Sequence, residues 1–460
     1  MQRSESMTSL ELRSTIALAL VFALRMFGMF SILPVLAIYA QSLPGGSAPL
    51  LVGIALGIDG LAQAFLQIPF GLLSDRYGRK RMIYIGLVFF ALGSFIAAGA
   101  DDIYMIIFGR LIQGTGAVAA AILALVADLT REEHRSKSMA VIGMSIGVTF
   151  GVSMVLGPAL NEYIGVSGIF FLTGCLALLA MLVIKFIVPN PQVSGSHADA
   201  GTIPSQIMAV FNNPELQRLD FGIFSLHAAM RGIFVAVPLL LVNVGHLPVS
   251  AHWKVYLPVM AISFIAVIPA IIIAETRGKM KLIFCSAVAL LTASTMLMSV
   301  MVSHFAGIVT ALFMFFLAFN LLEATLPSLI SKIAPAGSKG TAIGVYNSFQ
   351  FLGLFLGGAI GGFLAQHASY AAVFAFSSGL GVAWLLFAMT MQKPPAVRTR
   401  MYHVQGDLNE AQAAQLSASL SAIDGVTEAV VIATEGVAYL KVRMGEWDEV
   451  GARELMERGE

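Results

Sequence analysis

Charge is what this chain has least of. Only 12% of its residues are Asp, Glu, Lys or Arg, against 58% that are hydrophobic, where soluble globular chains carry about 25% charge. Soluble packing cannot hide that much apolar surface, which excludes an ordinary globular protein and makes lipid the solvent for most of the chain. Cysteine is almost absent. Cys175 and Cys285 both fall inside apolar runs, which argues against a disulfide framework and against a thiolate metal site. A net charge of +1 leaves no basic field for nucleic acid. Catalytic signatures are missing as well: there is no Walker loop, no zinc-protease helix motif and no G-x-S-x-G elbow. The chain reads as no enzyme, with no cofactor and no metal. Without an ATP site, any transport must be coupled to an ion gradient or be passive.

What is present is hydrophobic length. Windows of about 20 apolar residues, the length a bilayer core demands, recur near 14–40, 51–73, 82–99, 103–128, 137–160, 167–188, 219–244, 254–274, 282–302, 305–331, 340–365 and 370–391. The expected fold is therefore an all-α polytopic membrane protein of twelve transmembrane helices. The first apolar run is too long for a signal-peptide core and reads as an uncleaved first span. Alternate links hold Arg76, Arg79, Lys80 and Arg81, then Arg131, Arg135 and Lys137, then Arg277, Lys279 and Lys281, then Lys332 and Lys339. The opposite links hold no Lys or Arg, apart from Lys254 at the edge of one. Short basic loops stay cytoplasmic, so both termini are expected there.

A polar stretch, 189–218, with Pro189, Pro191, Pro204 and Pro214, divides the spans six and six. The expected domains are a first half at 1–188, this linker, a second half at 219–391, a short linker at 392–397 and a tail at 398–460. Within the long linker, Ile203, Ile207, Val210 and Phe211 suit one face of a short surface helix, and a flexible tether fits equally well. An internal repeat appears at an offset of 200: Ile68-Pro69 recurs as Ile268-Pro269, and Asp75-Arg76-Tyr77-Gly78-Arg79 as Glu275-Thr276-Arg277-Gly278-Lys279. Two such equivalent halves place a site between them at mid-membrane.

The stretch Gly71-Leu72-Leu73-Ser74-Asp75-Arg76-Tyr77-Gly78-Arg79-Lys80 links two spans. Its pattern G-x-x-x-D-R-x-G-R-K resembles motif A of the major facilitator superfamily. That resemblance implies a latch: Asp75 facing the N-terminus of span 11, where a helix presents partial positive charge, and Arg79 reaching Asp128, together tying the halves on the cytoplasmic side. The bases alone also satisfy a pure topology role. Arg110-Leu111-Ile112-Gln113-Gly114 looks like motif B, whose arginine the family associates with proton coupling. Gly147 and Gly151, followed by Gly157 and Pro158, look like motif C of the antiporter branches at a looser spacing. Gly143, Gly147 and Gly151 share a helical face that also suits plain helix packing, as does the glycine-rich run 353–362.

Within the spans lie Arg25, Asp59, Arg110, His227, Arg231 and Glu323. An ionised side chain in hydrocarbon costs ~2.5–3.5 kcal/mol even on the lenient insertion scale, so these residues are expected to line a wet central cavity or to pair. Asp59 and Glu323 suit proton binding, with the arginines tuning them and His227 beside them; structural salt bridges are the plain alternative. After Lys393-Pro394-Pro395 the pattern becomes β-α-β-β-α, a small α+β ferredoxin-like module. From 398 onward six bases face eleven acids, which favours salt-sensitive docking against the basic loops. A facilitator with such a tail resembles the YajR type of bacterial transporter, whose tail is similar to heavy-metal-associated domains. Here the first strand–helix loop, Gln405-Gly406-Asp407, has no Cys-x-x-Cys, so no thiolate metal is expected. The whole reading is a multi-pass protein of a bacterial inner membrane. It is expected to work as a proton-coupled antiporter exporting small molecules, with protons, the small-molecule substrate and the lipid bilayer as partners and no nucleic acid. Oligomerisation through the tail remains open. The alternatives are a proton symporter or uniporter, or a membrane sensor signalling through the tail.

Overall fold

The computed structural model describes residues 7–191, 203–335, 338–392, 397–404, 408–433, 436–443 and 447–458. Prolines and capping residues open several of its helices. Helix α1 (Ser9–Ser31) begins with a capping box in which Thr8 and Glu11 bond each other's backbone N–H, satisfying two orphan donors at once. It breaks at Ile32, ahead of Pro34, and continues as α2 (Leu33–Ala40). Helix α3 (Pro49–Tyr77) starts on a proline and turns into α4 (Arg79–Ala98) at Gly78. Gly78 has φ +97°, a backbone region that L side chains rarely adopt. A span made of α5 (Ile103–Thr115) and α6 (Ala119–Leu129) follows.

Helix α7 (Glu132–Phe186) is 55 residues long. Drawn straight it would measure about 80 Å, against a hydrocarbon core of about 30 Å. It does not run straight: Gly165 takes φ 66° and ψ 176° inside it. Its first arm follows α1 in the same direction, with Thr15 against Ser138 at 2.9 Å and Ser31 against Gly157. The second arm runs back, with Gly28 against Thr173 and Arg13 reaching the Phe186 carbonyl. Eleven described helical stretches are long and apolar enough to cross a membrane. The folded-back one supplies two crossings, so the total is twelve.

The second half repeats the plan after a short helix, α8 (Ile207–Phe211): α9 (Pro214–Asn243), α10 (Trp253–Thr276), α11 (Met280–Val300), α12 (Phe305–Ile333), α13 (Lys339–His367) and α14 (Tyr370–Met389). Helix α8 packs on the second half and leaves Met208 and Phe211 exposed. Ile207 and Val210 pack with Leu216, Ala334, Ala342 and Val345 of the second half, and the Ile203 N–H donates to Thr341 Oγ1 at 2.9 Å in the first turn of α13.

Helix α13 carries two glycine faces. Gly353 and Gly357 approach the backbones of Phe224 and Ala228 on α9, within its own half, while Gly358 and Gly362 approach Gly53 and Pro49 on α3, across the interface. A Cβ at Gly358 would stand 2.4 Å from the Gly53 carbonyl oxygen, so the two backbones touch. Small residues that permit this contact are how helices associate in lipid. Among the described residues, further contacts between the halves lie on the same side of the midplane. Leu50 N–H donates to Gln366 Oε1, and the Phe150 ring meets Phe316 and Phe319 at 6.0 and 5.7 Å. Gly151 of α7 faces the Phe264 ring of α10, but Gly147, one turn nearer the end that carries the basic loops, has nothing within 4 Å. Gly71 of α3 meets only Ala120 of its own half. The halves are therefore joined from the midplane to the end without basic loops, and they part toward the basic end.

Beyond α14 a three-stranded antiparallel sheet, β1 (Val397–His403), β2 (Val426–Ile432) and β3 (Val437–Arg443), has the order β1-β3-β2. Helices α15 (Glu410–Ser421) and α16 (Glu449–Arg458) cover one face, packing Leu416, Leu420 and Met456 with Leu440 and Val442. This is the β-α-β-β-α order of the sequence; the loop at 405–407 lies outside the described residues. The other face gathers Val437, Tyr439, Met401 and Ile203, and Lys441 Nζ donates to the Ala334 carbonyl at 2.5 Å. Docking through the acidic surface was expected. The described contact includes an apolar sheet face and the buried Lys441, which also pairs with Glu428 Oε2 at 3.1 Å; alternate residues of β3 point away from the tail's own core.

Replacing Gly358 with Val should wedge α3 from α13. Overpacking of this kind costs about 1–3 kcal/mol, enough to shift a two-state equilibrium roughly 5- to 150-fold away from the conformation joined at this end. Crosslinking yield between cysteines at 50 and 366 should fall accordingly; an unchanged yield would mean that the seam tolerates separation without cost.

Candidate functional site

The motif-like decapeptide forms a compact charge cluster at the basic end. Arg79, at the start of α4, is 3% exposed. It bonds Asp75, donates from Nη1 to Ser74 Oγ at 2.8 Å and pairs from Nε with Asp128 Oδ2 at 3.1 Å. Lys80 Nζ donates to the carbonyls of Val188 and Ile184, where the second arm of α7 ends and a cation is favoured by the helix dipole. Arg76 lies over the Tyr77 ring. Asp75 is thus engaged by Arg79, within its own half, while the first turn of α13 is engaged by Ile203.

Four charged side chains meet near the midplane. Asp59 on α3 is fully buried and accepts from Arg110 Nη2 of α5 at 2.7 Å. Its second oxygen stands 3.6 Å from Arg231 Nη2 of α9, in the other half. All three Arg110 nitrogens are bonded: besides Asp59 they reach the carbonyls of Ala55 and Leu56 and Gln113 Oε1. Gln113 in turn donates to Ser94, and Gly114 lets α5 lie directly on the Asp59 backbone. Arg25 on α1 donates from Nη2 to Gln63 Oε1 and the Gly116 carbonyl and packs over Phe90. Nε and Nη1 of both Arg25 and Arg231 are buried without a hydrogen-bond partner.

A second pair lies one helical turn away on α9. His227 Nδ1 is 3.2 Å from the Ile223 carbonyl, and Nε2 is 2.8 Å from Gln350 Nε2 of α13 and 3.4 Å from Glu323 Oε1 of α12. A carbonyl oxygen only accepts, so Nδ1 carries a proton and Nε2 is the site that gains or loses one. With neutral His227, Nε2 accepts from the Gln350 amide; with a proton on Nε2, the ring donates to the Glu323 carboxylate. The Glu323 side chain is 35% exposed, but its Oε1, the oxygen that faces His227, is buried without a hydrogen-bond partner.

The structure thus brings Asp59, Arg110 and Arg231 together, sets Arg25 one turn away through Gln63, and pairs His227 with Glu323. Gly151 and Gly157 make close contacts, with Phe264 and the Ser31 carbonyl, and Pro158 lies inside α7; Gly147 makes none. Reading charge alone overlooked Gln63, Gln113 and Gln350, which carry no formal charge, and Asp220, six residues into α9 and 2% exposed, which sat at the edge of its predicted span. Among the described residues no group of three or more His, Cys, Asp or Glu is placed to hold a metal.

The profile of the Major Facilitator Superfamily matches residues 18–358. The chain is 44% identical over 436 residues, 95% of each protein, to the inner membrane transport protein YajR of Escherichia coli. Among solved structures it resembles the human organic anion transporter MFSD10, with a TM-score of 0.64 and 18% identity over 83% of this chain and all of that one. A bacterial homologue of the human lysosomal transporter Spinster, solved inward-facing and occupied, also scores 0.64, with 13% identity over 83% and 95% of the two chains. At these identities the structural likeness speaks for the fold.

Breaking a buried ion pair by removing one partner costs about 3–5 kcal/mol, because the other charge is left uncompensated. Asp59→Asn strands Arg110 and should lower thermal stability in detergent by an amount of this order. Arg231→Gln, which removes only the looser contact, should cost clearly less. Equal losses in the two variants would contradict the assignment of Asp59 as the shared counter-charge.

Proposed function

The chain belongs to the major facilitator superfamily of membrane transporters, and from that premise we propose that it is a proton-coupled antiporter exporting small molecules by alternating access. It is a multi-pass membrane protein, here assigned to the bacterial inner membrane with its basic loops and both termini in the cytoplasm, as short Lys/Arg-rich loops require. The rocking bodies are residues 1–188 and 219–391. On that orientation the conformation described above is inward-facing. The observation that carries the reading is the contact of Asp59 with arginines from both halves. A proton on Asp59 removes the charge that holds Arg231, and a proton on Glu323 or His227 changes the charge that faces the cavity. Either event biases the two conformations only by the difference in free energy it makes between them.

The decapeptide supplies the opposing bias. In the outward-facing state Asp75 meets the first turn of α13, and Arg79 and Asp128 keep Asp75 aimed. A helix-end charge of this kind contributes up to ~2 kcal/mol when partly buried. The tail, docked on the linker and on Ala334 beside α13, is placed to modulate this closure. Any oligomer contact through the tail would use its helices, because its outer sheet face is occupied.

A second reading, proton symport of an anionic solute, is favoured by one observation. The partnerless N–H groups of Arg25 and Arg231 suit a carboxylate, and an anion displacing Asp59 from Arg231 would promote protonation of Asp59, so solute and proton would bind together. Proteoliposomes with an entrapped pH dye, challenged with a panel of metabolites and drugs, separate the two. Solute entry should alkalinise the lumen for antiport and acidify it for symport. Glu323→Gln should abolish the pH change and leave solute exchange intact; a full pH response in this variant would remove Glu323 from the coupling.

A further inference from the structure

Helix α9 carries a second buried carboxyl that none of these steps uses. Asp220 is 2% exposed, and its Oδ1 is buried with no hydrogen-bond partner. A carboxyl in such a position is costly unless it functions. It lies seven residues before His227, two helical turns, so both side chains leave the same face of α9, about 10 Å apart along the axis. Helix α13 runs beside that face. It contributes Gln350, bonded to His227, and one turn nearer the basic end it contributes Tyr346, 5% exposed. Glu323 of α12 completes the upper end. On the other side the Trp384 indole of α14 packs against Gly222, two residues from Asp220, and offers no charge. Near the start of α9, Arg218 is taken by Glu215 at 2.5 Å and by Thr390, so no base on α9 neutralises Asp220.

We propose that Asp220 is the release-side proton relay of the transporter: it accepts the proton leaving the Glu323–His227 pair and passes it to water at the basic end. The O–H or N–H bond at the central pair breaks, an O–H bond forms on the Asp220 carboxylate, and the same proton then leaves to a hydroxide or buffer anion, so no charge or atom is left over. The Tyr346 hydroxyl is the group placed to bridge the gap, since a phenol both donates and accepts. The location explains why the carboxyl has no partner: a relay that was tied by a base would hold its charge and block the proton. The inference rests on the reading of Glu323–His227 as the central proton site.

The test needs no transported solute. In the purified full-length protein, the carboxyl C=O stretch lost in Glu323→Gln identifies the central proton in difference infrared spectra, and a pH jump gives its rate of change. Asp220→Asn should slow that change by roughly tenfold or more, as expected for loss of a positioned acid–base group, without altering its amplitude. Asp220→Glu should restore the rate, which a merely structural role would not predict. An unchanged rate in Asp220→Asn, or a smaller amplitude at the wild-type rate, would overturn the relay and leave the central site standing. If Glu323→Gln removes no C=O band, the central site itself is wrong and the relay falls with it.

Discussion

A carboxylate in hydrocarbon must have a counter-charge, and in this protein Asp59 has more of it than one group needs. Arg110 holds one oxygen firmly at 2.7 Å, and Arg231 approaches the other at 3.6 Å from the opposite half. The first contact is a fixed part of the N-terminal half, reinforced by three further acceptors around Arg110. The second joins two bodies that also meet through bare helix backbones, aromatic rings and the Leu50–Gln366 hydrogen bond. Much else follows from this asymmetry. Gly114 must be small because α5 lies on the Asp59 backbone, and Gly53, Gly57 and Gly60 must be small because α3 has to reach α13 above it.

Under the proposed alternating access, the interface opens and closes without melting. On one side of Asp59, glycine faces bring α3 and α13 into van der Waals contact, which in lipid supplies the association that hydrophobic burial cannot. On the other side the helices diverge, and the charges of the decapeptide satisfy one another inside a single half. Asp75 with Arg79, and Arg79 with Asp128, leave no buried charge stranded while the basic end is open. In the proposed latch the same carboxylate turns to the end of α13 when that end approaches. Both arrangements keep Asp75 compensated, so the difference between them stays within the few kcal/mol that a proton or solute can reverse.

The architecture was largely legible in the sequence, because bilayer thickness imposes a length that hydropathy reports directly. Twelve apolar windows became twelve crossings, and the link at 161–166 contains Gly165, where α7 folds back. The tail's strands and helices followed from alternation and turns. The charges were visible but their grouping was not. Six intramembrane charges stood out, yet nothing local indicated that Asp59 would divide itself between halves or that His227 would face Glu323. Those pairings depend on how α9 packs against α3, α12 and α13, which are far away in sequence. Glutamines that complete the polar network carry no charge signal. The tail's apolar contact was not foreseen for a related reason: net charge describes a surface, whereas alternate residues of one strand, Val437, Tyr439 and Lys441, reach toward Ile203 and Ala334.

In the proposed mechanism the halves rock about the Asp59–Arg231 contact, so the two ends of the interface move in opposition. Electron paramagnetic resonance distances on a cysteine-free background measure this directly, with one label pair at positions 77 and 276 on the basic end and another at 42 and 303 on the opposite end. A rocking transporter shows a long basic-end distance with a short opposite-end distance in alkaline buffer, and a coupled exchange of the two populations on acidification. Distances that stay fixed across that range, or that lengthen together, would contradict it.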